Sequence, residues 1–123
     1  MDITPVLPQG KQLITGYGGG GFKINQRFIA GSLLVCAEKT MPWNIGEAAH
    51  ITWESLRLLL DAMPIELLLI GTGKSIHPID PAIHTALKAK KIAFDVMDSG
   101  AACRTYNVLL GEARQVGAAV IAI

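Results

Sequence analysis

Along the chain, apolar residues gather in short runs divided by glycine, proline and charge. The sharpest run is residues 65–70, Ile-Glu-Leu-Leu-Leu-Ile, closed before by Pro64 and after by Gly71-Thr72-Gly73-Lys74-Ser75. A run this short and this apolar suits a strand buried on both faces, and the glycines beyond it suit a loop that a ligand can approach closely. Two segments of the same kind follow. Residues 92–97 end in Asp98-Ser99-Gly100, and residues 118–123 are apolar throughout, which predicts a central strand rather than an edge.

Between these strands the spacing changes to that of helices. Thr52 is a suitable N-cap with Glu54 in the first turn, and Trp53, Leu56, Leu59, Leu60 and Met63 share one face up to Pro64. Asp80 followed by Pro81 is a strong start signal for a helix to about Lys90 that buries Ile83, Ala86 and Leu87. Lys88, Lys90 and Lys91 then sit at its negative end as solvated dipole partners rather than as a binding patch. A third helix over residues 101–115, with Ser99 as N-cap, lines up Ala102, Tyr106, Leu109, Leu110 and Ala113, and Gly117 is placed to stop it in a left-handed cap. Strand, helix, strand, helix, strand with short links predicts right-handed crossovers and a mainly parallel sheet.

The first third of the chain follows another pattern. Pro5 and Pro8 mark an extended arm, a loosely alternating strand covers residues 11–17, and residues 22–29 alternate around a turn at Asn25-Gln26. Residues 32–37 read as a further strand, from which Met41-Pro42-Trp43 leads away, so this region is an antiparallel hairpin or meander. The glycine run contains the G-x-G-x-x-G spacing at Gly16, Gly18 and Gly21. That fingerprint holds a dinucleotide only where it opens a helix, and here a strand follows, so a bulge or a close passage of two backbones is the better reading.

Composition narrows the class. The chain has 123 residues, which predicts one domain over residues 1–123. Half of it is hydrophobic, yet Arg57, Asp61, Pro64 and Glu66 interrupt the richest stretch, so the chain reads as not membrane-spanning. A net charge of +1 without a basic stripe argues against nucleic acid. The N-terminus has neither secretory nor transit character, which points to the cytoplasm. Cys36 and Cys103 fall in different elements without metal-ligand spacing and read as reduced thiols; neither a metal nor a cofactor is expected.

The candidate chemistry lies beyond two strand ends. Gly71-Thr72-Gly73-Lys74-Ser75 resembles part of a phosphate loop, but position 68 is Leu68 where that loop needs glycine, and Pro78, Asp80 and Pro81 delay the helix. What survives is a rim. Thr72, Gly73 and Lys74 follow one strand, and Ser99 and Gly100 follow the next, which is where open parallel sheets bind ligands. The helix-start amides with Arg104 nearby suit an anion, and Cys103 in the first turn is a candidate nucleophile. The bland alternatives are that Ser99 only caps, that Arg104 is solvated or pairs with Asp98, and that Cys103 fills space, no histidine being assigned as its base.

Four blocks carry a resemblance: Gly16-Tyr17-Gly18-Gly19-Gly20-Gly21-Phe22, Gly31-Ser32-Leu33-Leu34-Val35, Leu68-Leu69-Ile70-Gly71-Thr72-Gly73, and above all residues 98–109, Asp-Ser-Gly-Ala-Ala-Cys-Arg-Thr-Tyr-Asn-Val-Leu. They are similar to a small family of unknown function, domain of unknown function 498, typified by a methanobacterial Mth domain. It includes a mitochondrial assembly factor for respiratory complex I and an adipogenesis-associated protein. The resemblance implies an α/β, three-layer fold with a mixed, mainly parallel central sheet and an additional N-terminal antiparallel β layer. It transfers no catalytic residue.

Two functions remain in view. One is a binding or assembly protein with a protein partner in membrane-complex or respiratory-complex biogenesis. The other is a binder of, or enzyme acting on, a small anionic ligand through Thr72, Gly73, Lys74, Ser99, Gly100, Cys103 and Arg104.

Overall fold

The structure, a computed structural model, describes residues 10–123. The expected arm at Pro5 and Pro8 lies outside the described residues. Two sheets and three helices make up the rest. Strands β1 (Ile14–Gly18), β2 (Gly21–Ile24) and β3 (Arg27–Ala30) form a small antiparallel meander. Strands β4 (Leu33–Cys36), β5 (Lys39–Pro42), β6 (Leu67–Gly71), β7 (Ala93–Met97) and β8 (Val116–Val120) form a five-stranded sheet in the order β5-β4-β8-β6-β7. Helices α1 (Trp53–Ala62), α2 (Pro81–Ala89) and α3 (Ser99–Gly111) complete it.

The axial run becomes β6, parallel to both of its neighbours, with Gly71 opposite Met97 of β7 and Val120 of β8. Leu68, Leu69 and Ile70 are buried, each worth about 1.5–3 kcal/mol of apolar transfer. The last strand is central, as its sequence predicts, but spans Val116–Val120 rather than residues 118–123, and it is antiparallel to β4. The five-stranded sheet is therefore mixed.

Its two faces build two cores. On one face Leu34, Leu68, Ile70 and Ile121 pack with Leu56 and Leu59 of α1 and Ile83 and Leu87 of α2. On the other, Leu33, Val35, Leu69, Ala118 and Val120 meet Ala102, Cys103, Tyr106 and Leu110 of α3, together with Ile14, Phe22 and Ile24 of the small sheet. The N-terminal β layer thus covers α3 and β4 rather than extending the main sheet. Its hairpins close at Gly19-Gly20 and Asn25-Gln26, all at positive φ, the conformation that suits tight two-residue turns.

Four further boundaries differ from the sequence reading. Residues 39–42 form β5, an edge strand where Pro42 can be tolerated, instead of leading away from the sheet. The first strand starts at Ile14, and its register is irregular between Ile14 and Gly16, which is the bulge expected of the glycine run. Asp98, not Ser99, caps α3: its carboxylate accepts the Ala101 N–H at 2.8 Å, leaving Ser99 inside the first turn. The helix stops at Gly111, with Ala113 at φ 60°, while Gly117 lies buried in β8, where a Cβ would stand 2.9 Å from Leu59 and 3.0 Å from Ile65.

Candidate functional site

Because β6 and β7 run the same way, the loops after them meet at one rim. The two predicted groups make contact through Gly73 and Ser99. Gly73 N–H donates to Ser99 Oγ at 2.9 Å, and Ser99 N–H donates back to the Gly73 carbonyl at 2.8 Å. The Ser99 hydroxyl in turn donates to the carbonyl of Ile121 at 2.7 Å. One buried side chain therefore ties the ends of three strands together. Gly71 allows this closeness: a Cβ there would lie 2.8 Å from the Ser99 Cα.

Thr72 is spent in the same way. Its hydroxyl donates to the Ser75 carbonyl at 2.8 Å and accepts the His77 N–H at 3.0 Å, folding the loop back on itself. At the start of α3 the Asp98 carboxylate occupies the Ala101 amide, the position from which an anion would be held. Gly100 is covered by Tyr17 of β1, whose ring a Cβ at Gly100 would meet at 2.9 Å. Arg104 is turned to the same tyrosine, donating from Nη1 to its hydroxyl at 2.6 Å. Neither the Ser99 hydroxyl nor the Arg104 guanidinium is left reaching into the gap between the loops.

Cys103 is buried against the main sheet, and burial pushes its thiol up to about 12, against a smaller downward pull from Arg104 and an upward push from Asp98. Burial and the raised pKa both disfavour the exposed thiolate that a nucleophile needs. The space-filling reading of Cys103 fits its surroundings.

Two further residues of this block serve the fold. Tyr106 donates its hydroxyl to the Gln12 carbonyl at 2.6 Å. Asn107 grips the backbone of β1 with both ends of its amide, accepting Ile14 N–H at 3.0 Å and donating to Ile14 carbonyl at 2.7 Å. Sequence reasoning placed Tyr106 on the lined-up face of the helix but foresaw neither residue's hydrogen bonds, since their partners lie more than 90 positions away.

Beside the tied rim an open cleft of about 550 Å³ remains, on the β8 side. Thr72, Gly73 and Lys74 line it, facing Glu47, His77 and Ala122. Ser99, Gly100, Cys103 and Arg104 do not. The structure therefore splits the predicted set: three residues border open space, and four serve packing, the tie between strand ends or the Tyr17 contact. Glu47 and His77 were not foreseen, because nothing in their local sequence shows that they face β6.

Among the described residues no helix is long and apolar enough to cross a membrane. Comparison with known proteins fits the architecture. The chain is 37% identical over 109 residues to NADH dehydrogenase (ubiquinone) 1 alpha subcomplex assembly factor 3 of Xenopus tropicalis, covering 88% of this chain and 60% of that protein. The human protein of the same name is 33% identical over an equal span, covering 88% of this chain and 59% of its own length. The chain thus spans about 60% of the length of these curated relatives. An uncharacterized protein of Rhodobacter capsulatus is 38% identical, over 88% of this chain and 82% of its own. Among solved structures, a protein from Bordetella parapertussis superposes with a TM-score of 0.87 at 30% identity, covering 94% of this chain and all of its own. A Mth938-like domain from Bordetella pertussis reaches 0.81 at 26% identity, with 98% and 92% covered. With the model of one family matching residues 14–121, the chain belongs to the family described as protein of unknown function (DUF498/DUF598).

Proposed function

We propose that this chain is a cytoplasmic binding protein that acts in assembly, holding a protein partner during biogenesis of a membrane-bound respiratory complex. One observation carries the reading: in residues 98–109, the block that carries most of the resemblance, most side chains serve internal structure and only Arg104 and Val108 face outward. Asp98 caps, Ser99 ties three strand ends, Cys103 and Tyr106 fill the core and Asn107 anchors the small sheet. A segment used in this way maintains a scaffold, and a scaffold acts through its surface. The relatives named as complex I assembly factors support the same direction.

The test is cross-linking followed by affinity purification of the tagged full chain from its own cells. Subunits or intermediates of the respiratory complex are expected to be enriched over a tagged control of equal abundance. Recovery at the control level would refute the proposal.

A second reading, a small anionic ligand at Lys74 and His77, is favoured only by the open cleft beside them. Thermal-shift titration of phosphate, nucleotides and carboxylates against wild type and Lys74→Ala decides it. Equal responses from the two proteins would remove it.

A further inference from the structure

An open sheet ends in two strands whose outer backbone groups face water, and each is a template for a further strand. In the five-stranded sheet these edges are β5 and β7. Hydrogen bonds to the inner neighbours decide which residues face out. Trp43 N–H donates to the Ser32 carbonyl at 2.9 Å and Leu33 lies opposite Pro42, so Thr40 and Pro42 turn their backbone groups away from β4. Proline has no N–H, which leaves Thr40 as the one outward donor of β5. On β7, Ala93 N–H donates to the Glu66 carbonyl at 3.1 Å, and the Met97 carbonyl accepts the Thr72 N–H at 2.9 Å. Residues 93, 95 and 97 therefore face β6, and Phe94 and Val96 face out.

By its side chains β7 is an inviting edge. Residues 92–97, Ile-Ala-Phe-Asp-Val-Met, have no proline or glycine and a single charge, Asp95, which is the composition of a segment prone to pair with its own kind. Beside it, Ile76 is 63% exposed and borders an open apolar hollow with Pro78, Ile79 and Val96. The outward amides are nevertheless mostly taken. Just before the strand, Ile92 N–H donates to the Leu87 carbonyl at 3.0 Å. Within it, Val96 N–H donates to the Asp95 carboxylate at 3.0 Å. Phe94 keeps the one outward N–H of β7 without a partner among the described residues. Both edges of the sheet thus arrive at the same state by different means, one through proline and one through a carboxylate.

We propose that Asp95 closes the β7 edge against strand pairing with a second copy of this chain, by holding the Val96 N–H and by setting an exposed charge in the path of the incoming backbone. A strand that takes the Val96 N–H must first displace the carboxylate, and it then buries part of that charge against its own chain, which costs hydration. In the antiparallel register that sets Phe94 of one copy opposite Val96 of the other, Asp95 meets its own counterpart, and like charges directly opposite destabilise a pair. A ladder built without the Val96 amide has one outward donor, too few to fix a register. This closure goes beyond the assembly reading and does not depend on it.

The test compares the full chain as wild type, Asp95→Val and Asp61→Val, by sedimentation velocity and amide hydrogen exchange over a wide range of protein concentration. Asp61 is an exposed carboxylate on α1, so its variant makes the same change of charge away from the sheet. Valine is a strong strand former and Asp95 is exposed, so Asp95→Val keeps the fold, which its amide spectrum at low concentration verifies. Its sedimentation coefficient should rise with concentration, and exchange at Phe94 and Val96 should slow about tenfold or more across the range, with neither change in wild type or Asp61→Val. Wild type supplies a reading that needs no variant: corrected for intrinsic rates, its Val96 amide should exchange about threefold or more slower than its Phe94 amide. Absence of association in folded Asp95→Val, protection centred on other residues, or equal association of Asp61→Val would each overturn the proposal. So would equal rates at the two wild-type amides, or protection of them that grows with wild-type concentration.

Discussion

Removing the Ser99 hydroxyl tests the claim that this residue is a structural tie. In Ser99→Ala the Gly73 N–H and the Ile121 carbonyl lose their shared partner in a site closed to water. Leaving a buried donor or acceptor unmatched costs about 1–3 kcal/mol. Two such groups, with some relaxation of the Gly73 loop, give an expected loss of about 2–4 kcal/mol, a large part of the roughly 5–15 kcal/mol that holds a domain together. With a urea slope of about 2 kcal/mol/M, the unfolding midpoint should fall by about 1–2 M at unchanged slope. Arg104→Ala, which removes an exposed contact to Tyr17, is the companion measurement and should cost about 1 kcal/mol or less. A loss below about 0.5 kcal/mol for Ser99→Ala is what an unconstrained surface position gives. That result would refute the tie and reopen Ser99 as a ligand group.

Three further outcomes follow from the same packing. Gly71→Ala sets a Cβ 2.8 Å from the Ser99 backbone, and overpacking of this kind should cost about 1–3 kcal/mol by denaturant titration; a neutral result would mean that α3 can shift away from β6. Asn107→Ala should accelerate hydrogen exchange at the Ile14 amide while the Leu69 amide keeps its protection, because only the grip on the small sheet is released. Cys103 should resist iodoacetamide in the native protein at pH 8 and react on unfolding. Since burial raises its thiol from about 9 to about 12, the folded chain keeps a proton that the unfolded chain loses above pH 9, so stability should decline between pH 9 and 12, less steeply in Cys103→Ala.

The sheet was legible where local signals agree with burial. Leu67–Gly71 and the apolar run from Ala118 have no polar face, so their sequences alone mark them as interior strands, though the last strand begins two residues earlier and ends at Val120; the Asp80-Pro81 pair fixes the start of α2. The errors occur where two local solutions are equally good. Asp98 and Ser99 can both cap a helix; the choice falls to Asp98 because Ser99 is required by Gly73 and Ile121, 26 and 22 positions away. Gly117 suits a helix end as well as a strand against Leu59 and Ile65, and only the packing decides. Lys39–Pro42 has a proline and no clear alternation, and it is a strand because β4 offers it an edge. For the candidate site the rim was legible from parallel topology, but its occupancy was not. Whether Thr72 and Ser99 are free or spent depends on hydrogen bonds across the sheet, and sequence spacing carries no record of those.

The central claim is that the chain works by holding a partner and that Asp98, Ser99, Cys103, Tyr106 and Asn107 serve the fold. It is tested most directly by the abundance of the assembled respiratory complex, on native gels, in cells depleted of this protein and then supplied with wild type or Cys103→Ala at equal levels. The account predicts that depletion lowers the assembled complex and that both proteins restore it equally. An unchanged complex on depletion, or a folded Cys103→Ala protein that fails where wild type succeeds, would contradict it.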